Sequence, residues 1–103
     1  MKAAMNTPTR FNNARSSFVI SEYDKNTKEM LLNYMKSFDI SSAGGYVEDV
    51  FAEDISTGIE DAGYQDGEYF WSNQGIFFIE KYDIAVEKDF LDHVRRKMNR
   101  KAS

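Results

Sequence analysis

The chain has 103 residues, 42% hydrophobic and 15% aromatic, with a formal net charge of −4 and no cysteine. That length and apolar content suit one globular domain with a single modest core, and exclude both a two-core protein and a disordered chain. The lack of Cys removes disulfides and thiolate chemistry, and no apolar run approaches the roughly 20 residues of a membrane span.

The opening MKAAMNTPTR has no continuous apolar core of the kind a signal peptide needs, so a cytoplasmic protein is expected. Residues 1–15 are polar and aperiodic and read as a flexible leader. Ser17–Ser21 is a short β-prone run, expected to be the first strand. Asn26, with Glu29 three residues on, has the form of a capping box for a helix over 26–38. Leu31, Tyr34, Met35 and Phe38 follow at the spacing of one buried helical face, and Met30 and Met35 read as core filler.

Gly44 and Gly45 break that pattern without the Gly-Lys-Ser ending of a phosphate loop, so they give no sign of nucleotide binding. The next segment, 46–51, has apolar spacing that suits a helix and β-branched content that suits a strand; the strand is preferred after two glycines. Residues 53–67, with Gly58, Gly63 and Gly67 among acids, read as a long exposed loop. Glu68–Trp71 and Ile76–Lys81 read as two strands of a hairpin joined by Ser72-Asn73-Gln74-Gly75. A final helix over 86–99 carries the stripe Phe90, Leu91, Val94 and Met98. The whole reads as α+β: a small, mostly antiparallel sheet with two helices packed on it, one domain over 16–99, and a basic tail at 100–103.

Charge is distributed unevenly. Residues 1–36 carry six basic and three acidic side chains, whereas 37–92 carry fourteen acids against Lys81 and Lys88 alone. The last eleven residues restore the balance with Arg95, Arg96, Lys97, Arg100 and Lys101. Those cations lie at a helix end, where they complement the helix dipole. The acidic centre repels nucleic acid and attracts cationic surfaces. Its densest part holds Glu48, Asp49, Glu53, Asp54, Glu60, Asp61, Asp66 and Glu68 with no Lys or Arg among them, and Tyr69-Phe70-Trp71 follows directly.

Catalytic and metal chemistries fit this pattern poorly. His93 is the single histidine, has no motif around it, and reads as a surface or partly packed residue. Zinc lacks its usual Cys and His ligands. Calcium-loop spacing fails whether counted from Asp54 or from Asp61. A carboxylate pair of the glycosidase type has little room for a sugar cleft in a chain this small. No enzyme activity, cofactor or metal is therefore expected. Aromatic stacking on single-stranded nucleic acid requires a basic groove, and here Tyr64, Tyr69 and Trp71 stand among acids.

The segments Gly45-Tyr46-Val47-Glu48-Asp49-Val50, Asp66-Gly67-Glu68-Tyr69-Phe70-Trp71, Glu80-Lys81-Tyr82 and Asp89-Phe90 resemble a family of small bacterial proteins akin to the immunity proteins of contact-dependent growth inhibition and polymorphic toxin systems. The likeness covers residues 27–94, and Asp-Gly-Glu-Tyr-x-Trp is its distinctive segment. It implies a cytoplasmic antidote that binds a cognate toxin domain, often a nuclease, and blocks its active site. The acidic stretch agrees with this, since a basic cleft would be steered onto it. Tyr64, Tyr69 and Trp71 are candidate anchors, with core packing an equal reading for Trp71. Charge reversal at Asp61 and Asp66 is expected to weaken binding and leave the fold intact. The alternative is a homo-oligomeric interaction subunit, a homodimer through the edge at Ile76–Ile79, with no contact to nucleic acid or membrane.

Overall fold

The computed structural model describes the backbone of residues 1–102 and the side chains of residues 1–99. Eight segments follow in chain order: β1 (Lys2–Ala3), a single 3-10 turn (Arg15–Ser17), α1 (Lys25–Met35), β2 (Ser42–Glu48), β3 (Ser56–Gln65), β4 (Tyr69–Ser72), α2 (Asn73–Tyr82) and α3 (Lys88–Ala102). The four strands form one sheet in the order β1-β4-β3-β2. Both hairpin pairings are antiparallel and only β1 runs parallel to its neighbour β4. The fold is α+β with a small, mostly antiparallel sheet, and it has three helices where two were expected. No helix among the described residues is long and apolar enough to cross a membrane.

The two helices with clear apolar periodicity form close to where the sequence places them. In α1 the cap is Asp24 and not Asn26: its Oδ1 accepts the Thr27 amide at 2.8 Å and its Oδ2 the Thr27 hydroxyl at 3.0 Å. Leu31, Tyr34 and Met35 form the buried face. The Ser37 hydroxyl takes the Tyr34 carbonyl at 2.7 Å, and the helix ends there. In α3, Phe90 and Val94 are fully buried.

The middle of the chain departs from expectation. Residues 56–65 form the longest strand, not a loop. The acids and glycines that suggest a loop are tolerated because β3 is paired on both sides, to β2 and β4, and backbone pairing outweighs its weak intrinsic preference. Gly63 serves close approach: a Cβ there would lie 2.4 Å from the Ser42 hydroxyl oxygen of β2. The strand expected at 46–51 begins four residues earlier and takes in both glycines, with Gly45 at φ +74° where the register shifts between Ala43 and Tyr46.

The expected hairpin also divides differently. Tyr69–Ser72 is a strand, but the next turn is a helix start, because Ser72 caps α2 by accepting the Gly75 amide at 3.3 Å. Ile76–Lys81 is therefore helical, and the apparent two-sided strand is an apolar helix burying Ile76, Phe78 and Ile79. Asp83, at φ 55°, ends it in the left-handed region. The strand expected at Ser17–Ser21 is reduced to one isolated bridge between Ile20 and Ile84.

The polar leader is built into the fold. Lys2 and Ala4 donate their amides to the Glu68 and Phe70 carbonyls at 3.0 and 2.9 Å. Ala4, Met5 and Pro8 are buried. Few side chains achieve this, so composition conceals it. Gln74, in the first turn of α2, locks the segment down: its Nε2 donates to the Pro8 and Glu48 carbonyls at 3.1 and 2.7 Å, and its Oε1 accepts the Glu48 amide at 2.9 Å. The basic tail assigned to 100–103 falls on side chains outside the described residues.

Met5 packs against α2 so closely that a Cβ on Gly75 would meet its sulfur at 2.8 Å. Met5→Ala should therefore lower unfolding free energy by about 2–4 kcal/mol in a denaturant titration; a loosely attached leader would leave the midpoint where it is.

Candidate functional site

The eight carboxylates of the acidic stretch separate into two groups. Three are used inside the fold. Asp66 begins the turn between β3 and β4, where Gly67 takes φ +94°. Its Oδ1 accepts the amides of Glu68 and Tyr69 at 2.9 and 2.7 Å. Its Oδ2 accepts the Tyr34 hydroxyl at 2.6 Å and lies 2.7 Å from His93 Nε2. The side chains of Asp66 and His93 are each only 2% exposed. Burial alone would raise the Asp66 carboxyl, but the Tyr34 hydroxyl, the two amides and His93 outweigh it and hold it below the usual carboxylate range. The same burial, together with the Asp66 charge, pushes the Tyr34 phenol upward.

His93 is thus neither a surface nor a partly packed residue. Its Nδ1 lies 3.2 Å from Glu68 Oε2, so in its protonated form the ring donates to a carboxylate at each nitrogen. Around this cluster Tyr34, Tyr69, Trp71, Phe90 and the His93 ring pack with centroids 4.9–6.2 Å apart. Trp71 donates its indole N–H to the Met35 carbonyl at 3.0 Å. Tyr69 and Trp71 are therefore core residues and not exposed anchors. The arrangement fixes the β3–β4 turn against α1 and α3.

Asp49 is a second internal acid, its side chain 4% exposed. It accepts from Lys81 Nζ at 2.7 Å and from the Tyr82 hydroxyl at 2.9 and 2.8 Å. Burial opposes its charge, but Lys81, Tyr82 and the Phe51 amide together hold its carboxyl below the ordinary range. Asp61 is partly buried, and its Oδ1 accepts the Ala62 and Gln74 amides at 2.9 and 3.1 Å. Charge reversal at Asp61 and Asp66 would therefore damage the fold, contrary to the sequence-based expectation: the Asp66 change would set a cation against His93.

The second group faces outward. Glu53 and Asp54 lie on the β2–β3 connection, and Glu60 lies on β3 opposite Tyr46; all three are exposed and no cation pairs with them among the described residues. Tyr46 is 64% exposed and Ile59 46%. Glu48 is partly shielded, with Arg10 Nε and Nη2 both 2.7 Å from its Oε2. Glu68 is exposed but lies beyond the far end of β3, whose last residue is about 16 Å from Glu60 and about 30 Å from Ser56, next to the connection that carries Glu53 and Asp54. The acids consequently do not form one surface. Tyr64, half-buried, donates its hydroxyl to Asn73 Oδ1 at 2.9 Å. Exposed acid stands with an exposed aromatic at two places: Glu68 with Phe70, which is 47% exposed, and Glu60 opposite Tyr46, with Glu53 and Asp54 on the adjoining connection.

A groove of about 610 Å³ runs beside this surface, lined by Arg10, Gly44, Tyr46, Glu48, Ile55 and Gly58 among others. No family model, curated protein or solved structure compared with the chain matches it.

The Asp66 geometry sets a pH dependence. Its folded-state carboxyl titrates below the unfolded value of about 3.9, so its contribution is complete above that pH and is lost as pH falls through the folded value. Asp66→Asn should lower stability at pH 7 by about 3 kcal/mol and flatten the loss of stability below pH 4. Parallel acid limbs for variant and parent in denaturant titrations would contradict this role.

Proposed function

We propose that the chain is a non-enzymatic immunity or inhibitor protein that binds a basic protein, a cognate toxin domain of the nuclease type, and occludes its active site. The observation that carries this reading is the acidic surface at Glu53, Asp54 and Glu60, unpaired among the described residues, with Tyr46 exposed opposite Glu60. A fold that pairs Asp49 with Lys81 and Glu48 with Arg10 leaves these three carboxylates without cations among the described residues. Their field steers a cationic cleft toward them and supplies charge-assisted hydrogen bonds on contact. Tyr46 supplies the amphipathic ring favoured at interface centres. The titratable cluster with the composition of an acid–base site, Tyr34-Asp66-His93, is shielded and so poorly placed to meet a substrate, which favours binding over catalysis. The resemblance to immunity proteins points the same way.

The test compares the parent chain with Glu53→Lys/Asp54→Lys/Glu60→Lys as immobilised baits in lysate of the source organism. The parent should retain a basic protein at low salt and release it at high salt. The variant, with the thermal transition of the parent, should retain at least about tenfold less. Equal retention by both baits would sink the assignment.

A further inference from the structure

The sheet order leaves β2 paired on one side only, and Ser42–Tyr46 are exposed along its length. An open strand edge offers its amides and carbonyls to any other strand, and proteins commonly guard such edges with Lys, Pro, short length or a covering element. The opposite edge, β1, is guarded by being two residues long. β2 is seven residues long and contains no Lys, Arg or Pro. What limits it is the pair of register shifts, between Ala43 and Tyr46 at Gly45 and again between Tyr46 and Glu48, and the acidic charge around it, Glu48 on the strand itself and Glu60, Glu53 and Asp54 near it in sequence.

That charge selects the occupant. A second copy pairing edge to edge would bring two acidic arms together, and like charges across a strand pair are destabilising. A strand bearing Lys or Arg meets the opposite situation. The chain itself displays the contact: Arg10 places two guanidinium nitrogens 2.7 Å from one Glu48 oxygen at the mouth of the groove along β2. We propose that an extended, Lys- or Arg-bearing segment of the protein partner adds to the β2 edge as a fifth strand, with main-chain pairing along the exposed Ser42–Tyr46, short of Glu48 whose amide and carbonyl are held by Gln74, and with its cations set against the Glu48 and Glu60 side chains. This deepens the proposed binding of a basic protein and rests on it.

The probe is a synthetic octapeptide of alternating Thr and Lys, followed by amide chemical shifts of the labelled full chain. Two controls accompany it: the same peptide with alternate backbone nitrogens methylated, which keeps its charge but lacks the donors, and a Thr-Glu counterpart. The Thr-Lys peptide should shift the amides of Ser42–Tyr46, and N-methylation should weaken it by about tenfold or more. The Thr-Glu peptide should not bind, and Arg10→Ser should bind the Thr-Lys peptide more tightly by freeing Glu48. Equal binding of the methylated peptide would overturn strand addition and leave the basic-partner reading standing. Absence of shifts on β2 would overturn strand addition too, as would a dimer in solution whose β2 amides are protected. Failure of the charge-reversed bait to lose its partner, with the peptide results intact, would instead remove the partner reading.

Discussion

One carboxylate fixes the relation between the sheet and two of its helices. Asp66 accepts two amides of its own turn on one oxygen and meets Tyr34 of α1 and His93 of α3 on the other. A charge taken out of water is tolerated only when donors converge on it in this way, and removing one partner leaves the others uncompensated. The turn cannot shift without loosening α1 and α3, and neither helix can slide without breaking the clasp. The aromatic rings of Tyr69, Trp71 and Phe90 fill the space behind it, so polar satisfaction and close packing meet at the same place.

Asp49 performs the matching task at the other end of the sheet, where Lys81 and Tyr82 tie the β2–β3 connection to α2. With both ends of the acidic stretch anchored internally, the segment between them is held out as an arm. That division gives the surface its character. Along that segment Asp61 is held by the Ala62 and Gln74 amides, while Glu53, Asp54 and Glu60 meet no cation among the described residues. On the proposed reading, a partner would meet Glu60 on a strand paired within the sheet, so less ordering entropy would oppose binding there.

The sequence made legible what depends on local periodicity. Leu31, Tyr34 and Met35 announce α1, Phe90 and Val94 announce α3, and the α+β class follows from them and the β-prone Tyr69–Trp71. It concealed what depends on distant partners. β3 is stable because strands lie on both sides, and Gly63, which looks like a loop signal, gives the Ser42 side chain of β2 room to approach. Ile76–Ile79 has the composition of a strand, and only the cap at Ser72 marks it as a helix. The N-terminal segment carries too few apolar residues to reveal that it is anchored. Of the candidate site, Glu53, Asp54 and Glu60 lie at the surface, Asp49, Asp66 and Tyr69 are turned inward, and Trp71 takes the core reading that the sequence left open for it. A usable signal was present for His93, which stands three residues after Phe90 and beside Val94, on the buried stripe of its helix.

The sharpest test of this division is carboxylate footprinting, in which carbodiimide-activated amine labelling is read residue by residue by mass spectrometry on the chain alone and in complex with its captured partner. The account predicts rapid labelling of Glu53, Asp54 and Glu60 in the free chain, protection of all three in the complex, and resistance of Asp49 and Asp66 in both. Labelling of Asp66 as fast as Glu60, or unchanged reactivity of the three arm carboxylates in the complex, would contradict it.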